Sequence, residues 1–405
     1  MGWSLAACLL LFAQTIDYND EGRKALDARN YETAVADFSK AAEADPSDYT
    51  VQFNLALSYS LAGKDSEAIP LYRKVLALKP GLYEAELNLG IILTRDKKPA
   101  EAIPLLEAAA REKPREFRPV FTLAEALFAG GDYPKAEAQY RAAVEIDALS
   151  APAQLGLGRA LARQDRLGDA APRYRKAAEL NPKFKDDLLE LASLYESHKQ
   201  PAEAIAIYRE FSGNIAARER LGELLLESGR AADAVPQLEP AVAQSPTSAN
   251  RVALAMAYLQ TKQPEKALPL LQAATRSDAS NTDLKMIYGR ALRDQKQYAS
   301  AAQQFLDVAK AKPESLEAWK ELAAMLISLE DYPHALAALD RVKALGGETS
   351  GHVYLRAIVL DKTHQLKDAL ACYERFLASS EGKYPDEEFI SRQRVRIIKK
   401  ELNGR

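Results

Sequence analysis

Cysteine is nearly absent. The 405-residue chain holds two, Cys8 and Cys372, so no disulfide framework supplies its stability. Cys372 reads as a small apolar core residue rather than a reactive thiol. Histidine is equally sparse. His198, His334, His352 and His364 form no H-E-x-x-H pattern and no metal-spaced pair with cysteine. Gly156-x-Gly158 falls within a helical pattern with no strand before it, which excludes a dinucleotide fingerprint. No serine sits in a nucleophile elbow, and no sequence is left over for a catalytic domain. The expectation is a protein that is not an enzyme and takes no cofactor or metal.

An excess of one charge is also missing. Lys and Arg number 54 against 57 Asp and Glu, for a net charge of −3. The signs are well mixed, which argues against a general nucleic-acid surface. The basic stretch from Arg392 to Lys400 reads as the solvated face of a terminal helix. Long apolar runs are lacking too. Leu5 to Ala13 has the length of a signal-peptide h-region and is far too short to span a bilayer. No basic n-region precedes it. Leu5-Ala6-Ala7-Cys8 matches a lipobox by letters, but too few residues come before it to make an h-region. Residues 1–14 are therefore a candidate signal peptide, with an apolar turn packed on the first repeat as the alternative. The expected location is exported, periplasmic or envelope-associated, and the alternative is cytoplasmic.

What the chain has in abundance is small residues at fixed spacing. Ala34, Ala68, Ala102, Ala136, Ala170, Ala204, Ala234, Ala267, Ala301, Ala335 and Ala369 are separated by 34 residues, except for one step of 30 and one of 33. Twelve positions ahead of each alanine runs a second ladder of Gly or Ala: Gly22, Ala56, Gly90, Ala124, Gly158, Ala192, Gly222, Ala255, Gly289, Ala323 and Ala357. Four positions after each alanine stands a large residue, from Phe38 and Tyr72 through to Leu339 and Tyr373. Within one period, Val51, Leu55 and Tyr59 follow helical spacing, and so do Ala68, Leu71, Tyr72, Val75 and Leu76. Gly63 stops the first helix and Pro80 the second. Each period is a helical hairpin in which a small residue on the first helix accepts a large one from the second. A hairpin cannot bury its apolar face alone, so neighbours must stack.

This pattern resembles the tetratricopeptide repeat. Trp319, Leu322 and Ala323 carry its Trp, Leu and small residue in phase, and Leu89-Gly90 and Leu157-Gly158 carry its Leu-Gly pair. Pro46, Pro80, Pro114, Pro182, Pro246 and Pro313 stand at its closing proline, where Ala148, Ala279 and Gly347 replace it in other copies. The resemblance covers about eleven repeats over residues 15–383 and implies an all-α, right-handed α-solenoid with a concave inner face that binds protein. The short step between Ala204 and Ala234 reads as a junction between a block of six repeats, residues 15–214, and a block of five, residues 215–383, with Gly213-Asn214 as a left-handed helix stop. Pro70, Pro104, Pro172, Pro236 and Pro269 are expected near the first turn of the second helices, where proline costs little. Residues 384–405 are expected to form a capping helix that begins at Pro385, with acidic residues in its first turn and Lys399 and Lys400 in its last. Its outer face should be polar.

On the inner face, one register off the small ladder gives Phe53, Leu87 and Phe121, followed by Leu155 and Leu189. Leu57 and Ile91 lie one turn further on. Asn54 and Asn88 come next to the first two, and side-chain amides can grip both groups of a peptide backbone. These seven residues, Phe53, Asn54, Leu57, Leu87, Asn88, Ile91 and Phe121, are the expected partner-binding face. The alternative for the apolar register is packing between neighbouring first helices. No window of three repeats supplies the lysines, asparagines and arginine of the family's chaperone-tail clamp.

The expected function is a non-catalytic scaffold or adaptor that presents its groove to a partner's peptide segment, in envelope assembly or secretion. A regulatory array of a multi-chain enzyme, such as a glycosyltransferase or polysaccharide-export complex, is the alternative, and self-association is a third class. Partners are protein or peptide, without nucleic acid or small-molecule cofactor. If the apolar leader is removed, peptide mapping of the chain from native cells will find its first residue near Gln14. A soluble cytoplasmic chain that keeps Met1 or Gly2 through Ala13 would show that it is retained.

Overall fold

The computed structural model describes residues 17–403. The candidate signal peptide, residues 1–14, lies outside the described residues. Among the described residues there are 23 α-helices, two single 3-10 turns and no strand. They form an α-solenoid of stacked hairpins.

The chain divides into two compact units between Ala204 and Ile205. In the first, α1 (Tyr18–Asp27), α3 (Tyr49–Leu61), α5 (Tyr83–Arg95), α7 (Phe117–Ala129) and α9 (Ala151–Ala162) pack on α2 (Tyr31–Ala44), α4 (Asp65–Leu78), α6 (Pro99–Glu112), α8 (Tyr133–Ile146) and α10 (Leu167–Leu180), followed by α11 (Asp187–Ser197). In the second, α13 (Ile215–Glu227), α15 (Ser248–Gln260), α17 (Thr282–Asp294), α19 (Leu316–Ser328) and α21 (Ser350–Lys362) pack on α14 (Ala231–Gln244), α16 (Pro264–Ser277), α18 (Tyr298–Ala311), α20 (Tyr332–Ala344) and α22 (Leu366–Ser380), and α23 (Pro385–Asn403) closes the array. Each of these second helices also packs on the helix that begins the next hairpin or, for α22, on α23. First helices touch one another as well: α1 with α3, α3 with α5, α5 with α7, α7 with α9, and α13 with α15. First helices therefore line one face of each unit.

Local chemistry starts the helices. Asp17, Asn30, Asp48, Asp132, Ser150, Asn214, Thr247, Asn281 and Ser315 each accept a backbone N–H of the first turn with a side-chain oxygen. A common device stops every first helix. Arg29, Gly63, Lys97, Gly131, Asp165, Lys199, Gly229, Lys262, Lys296, Glu330 and His364 have φ between +57° and +82°, one per hairpin. The next residue's N–H closes back on the carbonyl five residues earlier, as Lys98 does to Leu93 at 2.8 Å and Gln365 to Leu360 at 2.8 Å. Only three of the eleven are glycine, so the turn is imposed by the hairpin and not by local preference.

The expected small-to-large contact is present. All eleven ladder alanines have 0% exposure. A Cβ added to Gly90 would lie 2.5 Å from Leu106 Cγ, one on Gly222 would lie 2.4 Å from Leu238 Cγ, and one on Gly289 would lie 2.6 Å from Phe305 Cε1. Phe38, Tyr72, Leu106, Leu238, Leu271 and Phe305 are wholly buried in consequence.

Three expectations differ from the structure. At the short step, α12 (Pro201–Tyr208) has only eight residues and runs into a 3-10 turn, Arg209–Phe211. Gly213 is not left-handed. Asn214 instead caps α13 by accepting the Ala217 N–H at 3.1 Å, so the missing turn is absorbed by shortening the second helix. The early prolines Pro70, Pro104, Pro172, Pro236 and Pro269 are the sixth residue of their helices, not in the first turn. Each removes one intrahelical bond. All five are exposed, so the released carbonyls lie on the solvent side, where a helix bends most easily. Finally, α23 begins at Pro385 as expected and buries Ser391 and Ile398, but Phe389, Ile390 and Ile397 stand exposed on its other side at 61, 46 and 43%. The outer cap is therefore mixed, with an apolar stripe among its exposed polar residues.

Two stability measurements check this account. Ala136→Leu should lower stability by about 1–3 kcal/mol or more through overpacking, and an unchanged denaturation midpoint would show that the ladder is not a close contact. Lys97→Gly should raise stability by about 0.5–1 kcal/mol, because glycine takes the left-handed conformation without the Cβ clash that lysine carries there. A fall in midpoint would mean that the lysine stem contributes more than the strain costs.

Candidate functional site: the inner face of the first unit

The first helices of the first unit carry the expected residues in order. Phe53 is half-buried and meets Tyr72 edge-on, with ring centroids 5.8 Å apart. Phe121 is half-buried, stacked on Phe117 at 5.2 Å and edge-on to Tyr140 at 5.9 Å. Each aromatic of this register therefore rests on its own hairpin's large ladder residue and keeps part of its face open. Leu87 differs: at 4% exposure it offers almost no surface. Leu155 is buried to the same degree, while Leu57 and Ile91 are half-buried.

Asn54 and Asn88 are both half-buried. The Asn88 Oδ1 accepts only a long 3.5 Å contact from the Arg118 guanidinium. The wholly buried Tyr72 hydroxyl lies beside Asn88 but has no hydrogen-bond partner. Burial holds that phenol, and those of Tyr140 and Tyr174, well above the ordinary tyrosine value.

Two adjoining hollows open on this face. One, of about 340 Å³, is lined by Phe121, Phe128, Tyr140, Leu155 and Gly156, with Glu125 and Arg159 as its charged groups. A side chain at Gly156 would strike Tyr140, since an added Cβ would lie 2.3 Å from Tyr140 Cε1. Glycine there keeps the ring of Tyr140 at the hollow's wall. The other hollow, of about 260 Å³, is lined by Ile91, Thr94, Arg95, Thr122 and Glu125. Glu125 belongs to both. Its carboxylate is open to the groove, yet the apolar walls push its pKa above the usual range.

The two charged groups of the larger hollow are unequal. Arg159 donates to Asp187 at 2.7 Å and to Glu190 at 2.8 Å, so two carboxylates already surround its charge. Arg95 is held by Asp65 through two hydrogen bonds, at 2.8 and 2.6 Å. Among the described residues Glu125 takes part in no ion pair. Arg118, exposed on the same helix and in no ion pair among the described residues, lies beside Asn88, so the face is apolar with a free carboxylate at Glu125 and a free guanidinium at Arg118.

Glu125, Phe128 and Arg159 were not expected. The signal existed, because continuing the Leu57–Ile91 register by the 34-residue period gives Glu125 and then Arg159. The second unit has its own hollow, of about 470 Å³, on α15 and α17, with Met256, Leu259 and Ile287 beside Arg290 and Asp294. There Arg290 is paired with Glu317 and Glu321. No cluster of three metal-ligating side chains occurs among the described residues, and none of their helices is long and apolar enough to cross a membrane.

A stack of hairpins with an apolar inner face defines a repeat scaffold of the kind that binds other proteins. Two family models, both described as tetratricopeptide repeat, match residues 19–83, 155–214 and 289–348 in one case and 93–158 and 225–291 in the other. Together they cover most of the chain, which belongs to the tetratricopeptide repeat family. Among solved structures, MamA from Desulfovibrio magneticus RS-1 is 23% identical over 41% of this chain and 94% of its own, with a TM-score of 0.39. MamA AMB-1 is 25% identical over 42% of this chain and 99% of its own, with a TM-score of 0.40. No curated protein matches significantly.

Proposed function

We propose that the chain is a scaffold whose first-unit inner face holds a partner's peptide segment, one that carries an apolar side chain next to a basic one. The single observation that carries this reading is the aromatic-walled hollow around Phe121 with the unpaired carboxylate of Glu125 at its edge. An apolar side chain fills the hollow, and a lysine or arginine beside it meets Glu125 with the faces of Phe121 and Phe128 nearby. Asn54 and Asn88 lie further along the same face, where their amides grip the segment's backbone whatever its sequence. Phe53, Leu57 and Ile91 extend the apolar contact. Leu87 supports the face from beneath.

The role is that of an adaptor, and repeats of this family generally do no chemistry of their own. Placement in envelope assembly or secretion rests on the apolar stretch from Leu5 to Ala13 and on the onset of charge at Asp17.

The test is paired. Captured partner segments should bind Phe121→Ala about ten- to a hundredfold more weakly, since one buried apolar anchor contributes roughly 1.5–3 kcal/mol, while the thermal midpoint stays within a few degrees. Lost stability with intact binding would place Phe121 in the core and the groove elsewhere. Glu125→Gln should selectively weaken segments with a basic residue, and equal binding of basic and neutral segments by the wild type would remove Glu125 from the site.

A further inference from the structure

The last helix of an array is expected to turn a polar face outward, and α23 adds a stripe of large apolar side chains to it. One side packs on the final hairpin through Val395, Ile398 and Leu402, in a cluster with Ala357, Leu360, Ala369 and Tyr373, and Ser391 on the same side is wholly buried. That side is also held by Arg394, which donates to both carboxylate oxygens of Asp361 at 2.7 Å, and by Lys399 on Glu374 at 2.7 Å. Glu388 accepts the Gly382 N–H at 2.8 Å and pairs with Arg392. The helix is thus fixed in place, with its orientation decided by buried contacts.

Its opposite side carries Phe389, Gln393 and Ile397 at i, i+4 and i+8, with Ile390 beside them. Three of these are large, apolar and exposed at 61, 43 and 46% for Phe389, Ile397 and Ile390. Charge is sorted along the same helix: Asp386 and Glu387 stand near its start, Arg396, Lys399 and Lys400 near its end. Among the described residues Asp386, Arg396 and Lys400 take part in no ion pair, so the outward charges are available.

We propose that this face pairs with the same face of a second copy of the chain, the two α23 helices running antiparallel about a two-fold axis at Gln393. Reversal about Gln393 brings position 389 opposite 397, 390 opposite 396, and 386 opposite 400. Phe389 of each copy then meets Ile397 of the other, Ile390 lies along the aliphatic stem of Arg396, and Asp386 meets Lys400. An isologous contact must be self-complementary in this way, and here both the apolar pattern and the charge order satisfy the same axis. Parallel pairing would set Asp386 on Asp386 and Lys400 on Lys400. An anionic membrane surface is disfavoured by the acidic first turn. One helix pair buries less than a standard interface, so the dimer is weak and depends on concentration.

Sedimentation velocity of the full chain over a concentration series tests this. The wild type should shift from monomer to dimer as concentration rises. Phe389→Asp, at an exposed position that leaves the thermal midpoint unchanged, should weaken association at least about tenfold. Asp386→Lys and Lys400→Glu should each weaken it, and the double variant should restore it, because the exchanged charges face each other again. A wild type that stays monomeric, a Phe389→Asp variant that associates normally, or a double variant no better than the singles would overturn the proposal. So would a monomer that co-sediments with phosphatidylserine-containing vesicles, which would assign the face to lipid.

Discussion

The close approach of a small residue on each first helix to a large residue on its partner is the contact on which the rest depends. At Gly90 and Leu106 the distance leaves no space for even a methyl group. That approach lets the second helix lie deep against the first and buries the ladder alanine completely. A hairpin packed this tightly still has one apolar flank unfilled, and the next hairpin fills it. The array follows from repeating that local fit, and the fit tolerates Phe, Tyr or Leu as the large partner because only its volume must match.

The same constraint shapes the inner face. Second helices are flanked on both sides by first helices and turn their prolines to solvent, while first helices touch one another and line the inner face. Residues there serve two ends. Phe53 and Phe121 cover Tyr72 and Tyr140 from above while presenting a free edge. Arginines such as Arg159 and Arg293 tie one first helix to the next through Asp187 and Glu190 or through Glu321. These cations are matched by carboxylates, whereas Glu125 and, two turns before it, Arg118 take part in no ion pair among the described residues.

The hairpins, their count and the small-to-large contact were legible in the sequence because each is a property of spacing, and spacing survives folding unchanged. The details of turns were not. Six of the eleven left-handed turn residues, among them Lys97 and Glu330, are Arg, Lys or Glu, whose side chains have no preference for that conformation; closure of the hairpin imposes it. At the short step the sequence pointed to a stop at Gly213, but a four-residue loss can be absorbed at either end of a helix, and packing placed it in α12. The internal prolines likewise sit in the second turn, since an exposed helix face tolerates a lost bond that local rules would avoid.

On the candidate site, the register of Phe53, Leu87 and Phe121 could not tell a half-covered ring from a buried side chain. Leu87 and Phe121 share a register, and only their neighbours separate them: Phe121 borders the space kept open by Gly156, whereas Leu87 is enclosed. The amino-acid sequence by itself determined the repeating hairpin, because a period of small and large residues admits one way of packing two helices. The tertiary structure decided which inner-face side chains stay reachable, which charges remain uncompensated, and that the closing helix turns an apolar stripe outward. Those properties depend on what lies across a gap from a different repeat, and no local pattern encodes that distance.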